Sequence, residues 1–426
     1  MLWLIKNIKK VYQKPMAEPT STEYIELKRS VELLELGMFV TRLDRPWEET
    51  DFIYQGFQIN SLDELHALQA LCDYVYVRAA KQTWQSGQDR QASNRKTVPE
   101  RISYINKIPI NEELNNIRSA YKDACSQMGA ILDTIRLSGE LDIDKVNEIV
   151  DECVDSILRN DSALVWLTQI RHKDNYTAEH SLRVCIYAIA LGRELGFREL
   201  ELQNIGTCGL LHDVGKVRIP KEILTKQSNL TPDEIKIMQE HPVYGKKLLI
   251  SKAGVYPGAV DVAYCHHERL DGSGYPRGIT GERIPYYAKI IGIIDAYDSM
   301  ISDKPYSKGI TTLDACRHIY QCKNTLFDKT ILGHFIHFIG IYAPGSLVEM
   351  NTGEIGIIIE TNNEDGIKPR ILLILGSDKL PKNGRVIDLK KGDITFTNTT
   401  YVIKKSLANG AYGINVEDYL DQVIAN

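Results

Sequence analysis

The stretch Ile205-Gly-Thr-Cys-Gly-Leu-Leu-His-Asp-Val-Gly-Lys216 joins an apolar, helix-like run to an adjacent histidine and aspartate. The same juxtaposition recurs on both sides of it. His180, the pair His212 and Asp213, His241, the pair His266 and His267, and Asp295 follow one another at intervals of very roughly one helical hairpin, each on or beside an apolar run of helical period. These are five of the ten histidines of the chain. A single buried histidine is more often a hydrogen-bonded core residue than a ligand. Five spaced in this way, with aspartates beside them, predict convergence on metal inside a helical bundle. His172, His318, His334 and His337 lack acidic neighbours at ligand spacing and read as structural or surface residues.

Divalent transition metals take imidazole and carboxylate together, and one carboxylate can bridge two ions while imidazoles hold each from its own side. On this reading His180, His212, Asp213 and Asp295 hold one ion, and Asp213, His241, His266 and His267 hold the other. Nitrogen and oxygen ligands without cysteine point to iron or manganese, with zinc also compatible. A hydroxide bridging two such ions is a strong nucleophile, because coordination brings the pKa of water down to roughly 7. That is the chemistry needed to open a phosphodiester. Asp213 is expected to position the nucleophile. Lys216, placed one helical turn beyond His212, is expected on the same face, where it would neutralise a developing phosphorane oxygen.

The chain of 426 residues is long enough for two or three domains. A hydrophobic fraction of 43% with 25% charged residues is ordinary for a folded, soluble protein. A net charge of -5 argues against a nucleic acid polymer as the main partner. The eight cysteines are scattered without a CxxC pair and, with no export signal, read as reduced core residues of a cytoplasmic protein. The apolar patch that opens the sequence is too short, and too interrupted by Lys6, Lys9 and Lys10, to span a bilayer.

Patterning divides the chain into an N-terminal tail (1–22), a small α+β domain (23–81), a linker (82–110), a helical domain (111–342) and a β-rich appendage (343–426). In the first domain Tyr74-Val-Tyr-Val77 alternates like a half-buried strand, and Ser61 opens a helix-like stretch with Glu64 placed for a capping box. The linker is polar and locally basic, with Arg90, Arg95, Lys96, Arg101 and Lys107, and reads as a solvated connector. In the appendage Ser346 to Glu360 reads as a hairpin and Arg370 to Leu375 as another strand. Whether the appendage packs on the bundle or mediates a homodimer is left open. The fold class is therefore mainly α, with small mixed and β-rich flanks.

With these residues in place, the chain resembles the HD-GYP phosphodiesterases of bacterial second-messenger signalling, a subgroup of the HD hydrolases. The resemblance rests on Tyr176-Thr-Ala-Glu-His-Ser-Leu-Arg-Val184, His212-Asp-Val-Gly-Lys216, His241-Pro-Val-Tyr-Gly245, His266-His-Glu-Arg-Leu-Asp-Gly-Ser-Gly-Tyr-Pro276 and Asp295-Ala-Tyr-Asp298. Leu36-Gly-Met-Phe-Val40, Leu43-Asp-Arg-Pro-Trp47 and Gln55-Gly-Phe57 resemble an uncharacterised domain that often precedes such modules. The resemblance implies a cyclic dinucleotide substrate, cyclic di-GMP or cyclic GMP-AMP, opened to a linear dinucleotide, and docking of diguanylate cyclase domains on the Gly-Tyr-Pro loop.

Substrate contacts are then expected from Lys216, Gly274, Tyr275, Pro276, Asp298, Lys304 and Lys308, with the loop exposed at the cleft edge. Two departures stand out. Some relatives carry a glutamate one turn before the first histidine ligand, for a third metal; Tyr176 stands there, which predicts a binuclear site. Lys304-Pro-Tyr-Ser-Lys308 has lysine where arginine is usual, which loses the planar fork for phosphate or guanine and makes cyclic GMP-AMP a real alternative. The rival readings are a catalytically silent adaptor that binds partners through the Gly-Tyr-Pro loop, and an HD hydrolase acting on another phosphoester.

Overall fold

The computed structural model describes residues 24–31, 34, 38–44, 57–59, 65, 68–69, 71–80, 102–170, 176–303, 308–340, 342–361, 368–394 and 400–425. The chain divides into two compact units, Met1–Pro99 and Glu100–Asn426. Ser61, Glu64, Trp47, His172, Lys304 and the linker residues Arg90, Arg95, Lys96 and Arg101 lie outside the described residues.

In the first unit, β1 (Tyr24–Ser30), β2 (Phe39–Leu43), β3 (Phe57–Gln58) and β4 (Tyr74–Ala80) form an antiparallel sheet in the order β1-β4-β2-β3. Period-2 alternation turns Val75 and Val77 inward, where they meet Val40, Leu43, Ile59 and Leu68 in a small core.

The second unit is built on helices. The 29 residues of α1 (Ile110–Ser138) follow Pro109, carry Glu112 and Glu113 in the first turn, and stop at Gly139, whose φ of 73° suits a residue without a Cβ. Next, α2 (Ile143–Arg159) is capped by Asp142, whose side chain accepts from the Lys145 amide. Glu113 of α1 is fully buried and is held by Ser156 at 2.6 Å and by both arms of Arg159 at 2.8 and 2.9 Å, so α1 and α2 are keyed together by charge as well as by apolar contact.

The elements that follow carry the site: α3 (Ala163–Leu167), α4 (Tyr176–Glu194), α5 (Glu199–Leu211), a 3-10 turn at Val214–Arg218, α6 (Lys221–Leu224), α7 (Pro232–Met238), α8 (His241–Ile250), α9 (Pro257–Cys265), α10 (Tyr286–Ile301), α11 (Thr312–Gln321) and α12 (Lys329–Ile339). Two of them are apolar on nearly every face. Leu182 and Val184 through Ala190 in α4, and Ile290 through Ile294 in α10, are buried, which places both helices at the centre of the bundle. Gly209 lets α5 approach α4 at backbone contact, since a Cβ there would lie 2.8 Å from Cys185 Cα.

The chain closes with β5 (Leu347–Met350), β6 (Ile355–Glu360), β7 (Arg370–Leu375), β8 (Pro381–Asp388) and β9 (Ile403–Leu407), an antiparallel sheet in the order β8-β7-β6-β5-β9, and then α13 (Leu420–Ile424). Alternation gives it two apolar faces. Leu347, Ile355, Ile357, Leu372 and Ile374 join the core of the bundle, and Trp166 Nε1 of α3 donates to the Ile358 carbonyl at 3.2 Å. Val348, Met350, Ile358, Ile371 and Leu373 form a separate core closed by Leu389 and Tyr401. Of the two arrangements that patterning left open for this appendage, the structure shows packing on the bundle. All eight cysteines are free thiols, most of them buried.

Candidate metal centre

Backbone turns, rather than one continuous helix, bring the site together. His212 is the C-cap of α5, and Asp213 stands between that helix and the 3-10 turn. His241 opens α8, His266 caps the end of α9 with His267 beside it, and His180 and Asp295 project from the two central helices. His180, His212, Asp213, His241, His266 and Asp295 are all nearly inaccessible to solvent, and His267 is partly so.

Asp213 divides the centre in two. Its Oδ2 lies 3.4 Å from His180 Nε2 and 3.3 Å from His212 Nε2, while Asp295 Oδ1 lies 3.2 Å from His180 Nε2. Its Oδ1 lies 3.2 Å from His241 Nε2 and 3.6 Å from His266 Nε2. Asp295 reaches the second group as well, with Oδ2 3.7 Å from His267 Nδ1. Within each group, His180–His212–Asp213–Asp295 and Asp213–His241–His266–His267, one ligand atom per residue lies within 4.8 Å of all the others.

The tautomers follow from the outer hydrogen bonds. A carbonyl only accepts, so the Nδ1–H groups of His212, His241 and His266 donate to Gly209, Met238 and Val262 at 2.7, 2.7 and 3.0 Å, leaving each Nε2 with a lone pair. Those lone pairs face one another: His241 Nε2 and His266 Nε2 are 3.3 Å apart. His212 Nε2 and Asp213 Oδ1 are buried without a hydrogen-bond partner.

The electrostatics agree. Burial pushes His266 down to about 4, so it is neutral at pH 7. Burial opposes ionisation of Asp213, yet the Lys216 ammonium paired with it outweighs burial and holds its carboxyl well below the usual range. Burial would likewise lower His180, but the carboxylates of Asp213, Asp295 and Asp298 outweigh it and raise it well above its ordinary value. Converging lone pairs, unsatisfied buried acceptors and an excess of carboxylate are what a divalent cation satisfies.

Three sequence expectations change, those for Lys216, Asp298 and the Gly-Tyr-Pro loop. Lys216 is not one turn further along a helix from His212, because α5 ends at Leu211 and the chain tightens into the 3-10 turn; its Nζ donates to Asp213 Oδ2 instead. Asp298, expected to touch substrate, is fully buried and faces His180 and Arg183. Lys308 is exposed and paired with Asp303 at 3.1 Å. The Gly-Tyr-Pro loop does not stand clear: Gly274, Tyr275 and Pro276 are half-buried, and the Tyr275 ring stacks on His267 with centroids 4.6 Å apart.

That loop is anchored by Glu268, which sequence reasoning missed. Its buried carboxylate accepts from the amides of Arg277 at 2.9 Å and Ile279 at 3.0 Å. Only a glycine fits at 274, where a Cβ would lie 2.4 Å from both Arg269 N and His267 O. Arg183, one turn beyond His180, was also missed, although a cation directly before the apolar run Val184–Leu191 was the available signal.

A helical bundle carrying two histidine groups that share one aspartate defines a metallohydrolase-type centre. The HD domain family matches residues 165–331, and a domain of unknown function (DUF3391) matches residues 26–146. A protein of Pseudomonas aeruginosa named as a cyclic di-GMP phosphodiesterase is 32% identical over 376 residues, covering 87% of this chain and 90% of that one. The cyclic di-GMP phosphodiesterase PdeB of Borreliella burgdorferi is 31% identical, covering 55% of this chain and 60% of its own. A 3'3'-cGAMP-specific phosphodiesterase of Vibrio cholerae is 34% identical over 41% of this chain and 34% of its own. The chain belongs to the HD-GYP family of cyclic-dinucleotide phosphodiesterases. Among the described residues, no helix is long and apolar enough to cross a membrane.

Proposed function

We propose that this protein is a metal-dependent phosphodiesterase that opens a cyclic dinucleotide, cyclic di-GMP or 3'3'-cyclic GMP-AMP, to the linear dinucleotide. The observation that carries the reading is the split of Asp213, one carboxylate oxygen toward each of two groups of imidazole lone pairs. His180, His212, Asp213 and Asp295 would hold one divalent ion, and Asp213, His241, His266 and His267 the other. Iron, manganese or zinc in these positions would supply Lewis acidity and an activated water at neutral pH.

The chain itself does the positioning. Lys216, paired to Asp213 yet partly exposed, brings a fixed positive charge to where the phosphoryl oxygens gain charge in the transition state. Tyr275 places a half-buried aromatic ring beside the histidine groups, braced by His267 and, through its loop, by Glu268. A purine can stack there. Gly274 and Pro276 shape the loop that presents this ring, and Lys304 and Lys308 are the proposed outer cationic contacts.

An aromatic pair contributes about 0.5–1.5 kcal/mol beyond area burial, so Tyr275→Ala is expected to raise KM roughly 3- to 10-fold with little change in kcat. Steady-state kinetics with a Tyr275→Phe control check this, and an unchanged KM removes Tyr275 from the substrate wall.

The function is tested by incubating iron- or manganese-loaded protein, prepared anaerobically, with each of the two cyclic dinucleotides and resolving the products chromatographically. Linear dinucleotide from either supports the reading and names the substrate. No product from either, in protein shown to hold two metal ions, moves it to an adaptor or to a different phosphoester.

A further inference from the structure

We infer that Arg183 and Asp298 form a positioning unit dedicated to one of the two metal-binding groups, setting the tautomer of His180 and with it the affinity of that group alone. The inference rests on the metal-centre reading above.

The outer partners of the ligand histidines are not alike. His212, His241 and His266 turn Nδ1 to neutral backbone carbonyls. His180 turns Nδ1 to a carboxylate, with Asp298 Oδ2 at 2.7 Å. A charged acceptor fixes the ring and raises the basicity of the opposite nitrogen more than a carbonyl does. Asp298 is itself immobilised: Arg183 Nε reaches Oδ1 at 2.8 Å, Arg183 Nη2 reaches Oδ2 at 2.9 Å, and Ser302 Oγ adds a contact at 3.3 Å. Arg183 also meets Glu179 at 3.4 Å. Both members of the pair are buried.

The helical spacing explains the arrangement. Asp295 and Asp298 are three residues apart on α10, and His180 and Arg183 are three apart on α4, so each pair lies on one face of its helix. Where the faces meet, His180 sits between two carboxylates, with Nε2 3.2 Å from Asp295 Oδ1 and Nδ1 against Asp298. One end of the ring meets the ligand group and the other meets the positioning unit. The second group, around His241, His266 and His267, has no atom in this contact.

Asp298→Asn tests the idea with almost no change of shape. An amide leaves one acceptor oxygen for donors that use both oxygens of Asp298, with Arg183 Nε on Oδ1 and Arg183 Nη2, Ser302 Oγ and His180 Nδ1 on Oδ2. With the NH2 toward His180, Nδ1 must accept and the ring proton moves to Nε2, where a ligand needs a lone pair; with the oxygen there, Nδ1–H meets a neutral acceptor and Nε2 loses the basicity that the carboxylate lends it.

The experiment is a manganese titration of metal-free, full-length protein by calorimetry, with thermal unfolding of the same metal-free samples as a check on folding. Wild type is expected to show two sites. In Asp298→Asn one affinity is expected to fall about 10- to 100-fold while the other holds. Two unchanged affinities, or two that fall together, overturn the inference while leaving the metal centre standing. A wild type that binds no manganese overturns both. If Asp298→Asn does not fold, Arg183→Lys keeps the charge and loses the fork. It is expected to weaken the same single site by a smaller factor, and unchanged binding at both sites overturns the inference equally.

Discussion

Replacing Asp213 by asparagine is expected to empty both metal groups at once and to lower turnover of the cyclic dinucleotide by about 10³-fold or more. Asp213 meets His180 and His212 through Oδ2 and His241 and His266 through Oδ1, so no other residue of the centre serves both groups so directly. Asparagine keeps the volume but exchanges one oxygen for an NH2 that cannot ligate, and it removes a charge that Lys216 stabilises in a buried setting. Residues that only orient a ligand cost 10- to 100-fold when lost. A shared ligand should cost more. Metal analysis and product formation on the same preparation make the check. If Asp213→Asn retains two ions, or turns over within about tenfold of wild type, below what loss of a mere orienting residue costs, the shared-ligand reading is wrong. The contrast with Asp298→Asn is informative, since one substitution is expected to weaken a single site and the other to abolish both.

The second large effect is expected at a residue that is not itself a ligand. Gly215 lies in the 3-10 turn after Asp213, pressed against the start of α8, and a Cβ there would fall 1.9 Å from the His241 carbonyl oxygen and 2.5 Å from the Gly245 amide nitrogen. Both neighbours are backbone and cannot rotate away. Gly215→Ala must therefore separate the turn that carries Asp213 from the helix that carries His241. The cost should lie at or above the upper end of the roughly 1–3 kcal/mol typical of overpacking, with loss of metal at the His241 group.

Two other glycines serve as controls. Gly129 in α1 and Gly333 in α12 have nothing within 4 Å of an added Cβ, so alanine there should stabilise its helix by about 0.5–1 kcal/mol. Thermal unfolding of the three variants, with metal content for Gly215→Ala, decides the point. A Gly215→Ala protein that melts like wild type and keeps its metal would show that the turn and α8 can part freely.

Much of this protein is legible in its amino-acid sequence. The helical period of the apolar runs implies the bundle, because a helix buried on one face or on all faces must repeat its apolar residues at that period. The chemistry of the centre is legible because histidine and aspartate beside such runs have few other uses in number. The two groups are legible because His212 and Asp213 are adjacent and a carboxylate has two oxygens to share. The β-rich end shows in its alternation, although its packing on the bundle does not.

What the tertiary structure alone decided is which way each group faces. Asp295 and Asp298 look alike in sequence, yet the first faces the ligand cluster and the second the back of His180, because three residues along a helix also move a side chain about 4.5 Å down its axis. Lys216 came to pair with Asp213 because α5 ends at Leu211 instead of running on, and the chain tightens into the 3-10 turn whose Gly215 lies against α8. The Gly-Tyr-Pro loop folded back on His267 because Glu268 holds its amides and Gly274 leaves no room for a side chain. The sequence by itself determined which residues could ligate and on which elements they ride. Their partners, their tautomers and the direction of the loop were decided by backbone approaches between segments distant in the chain, and these leave no periodic trace along it.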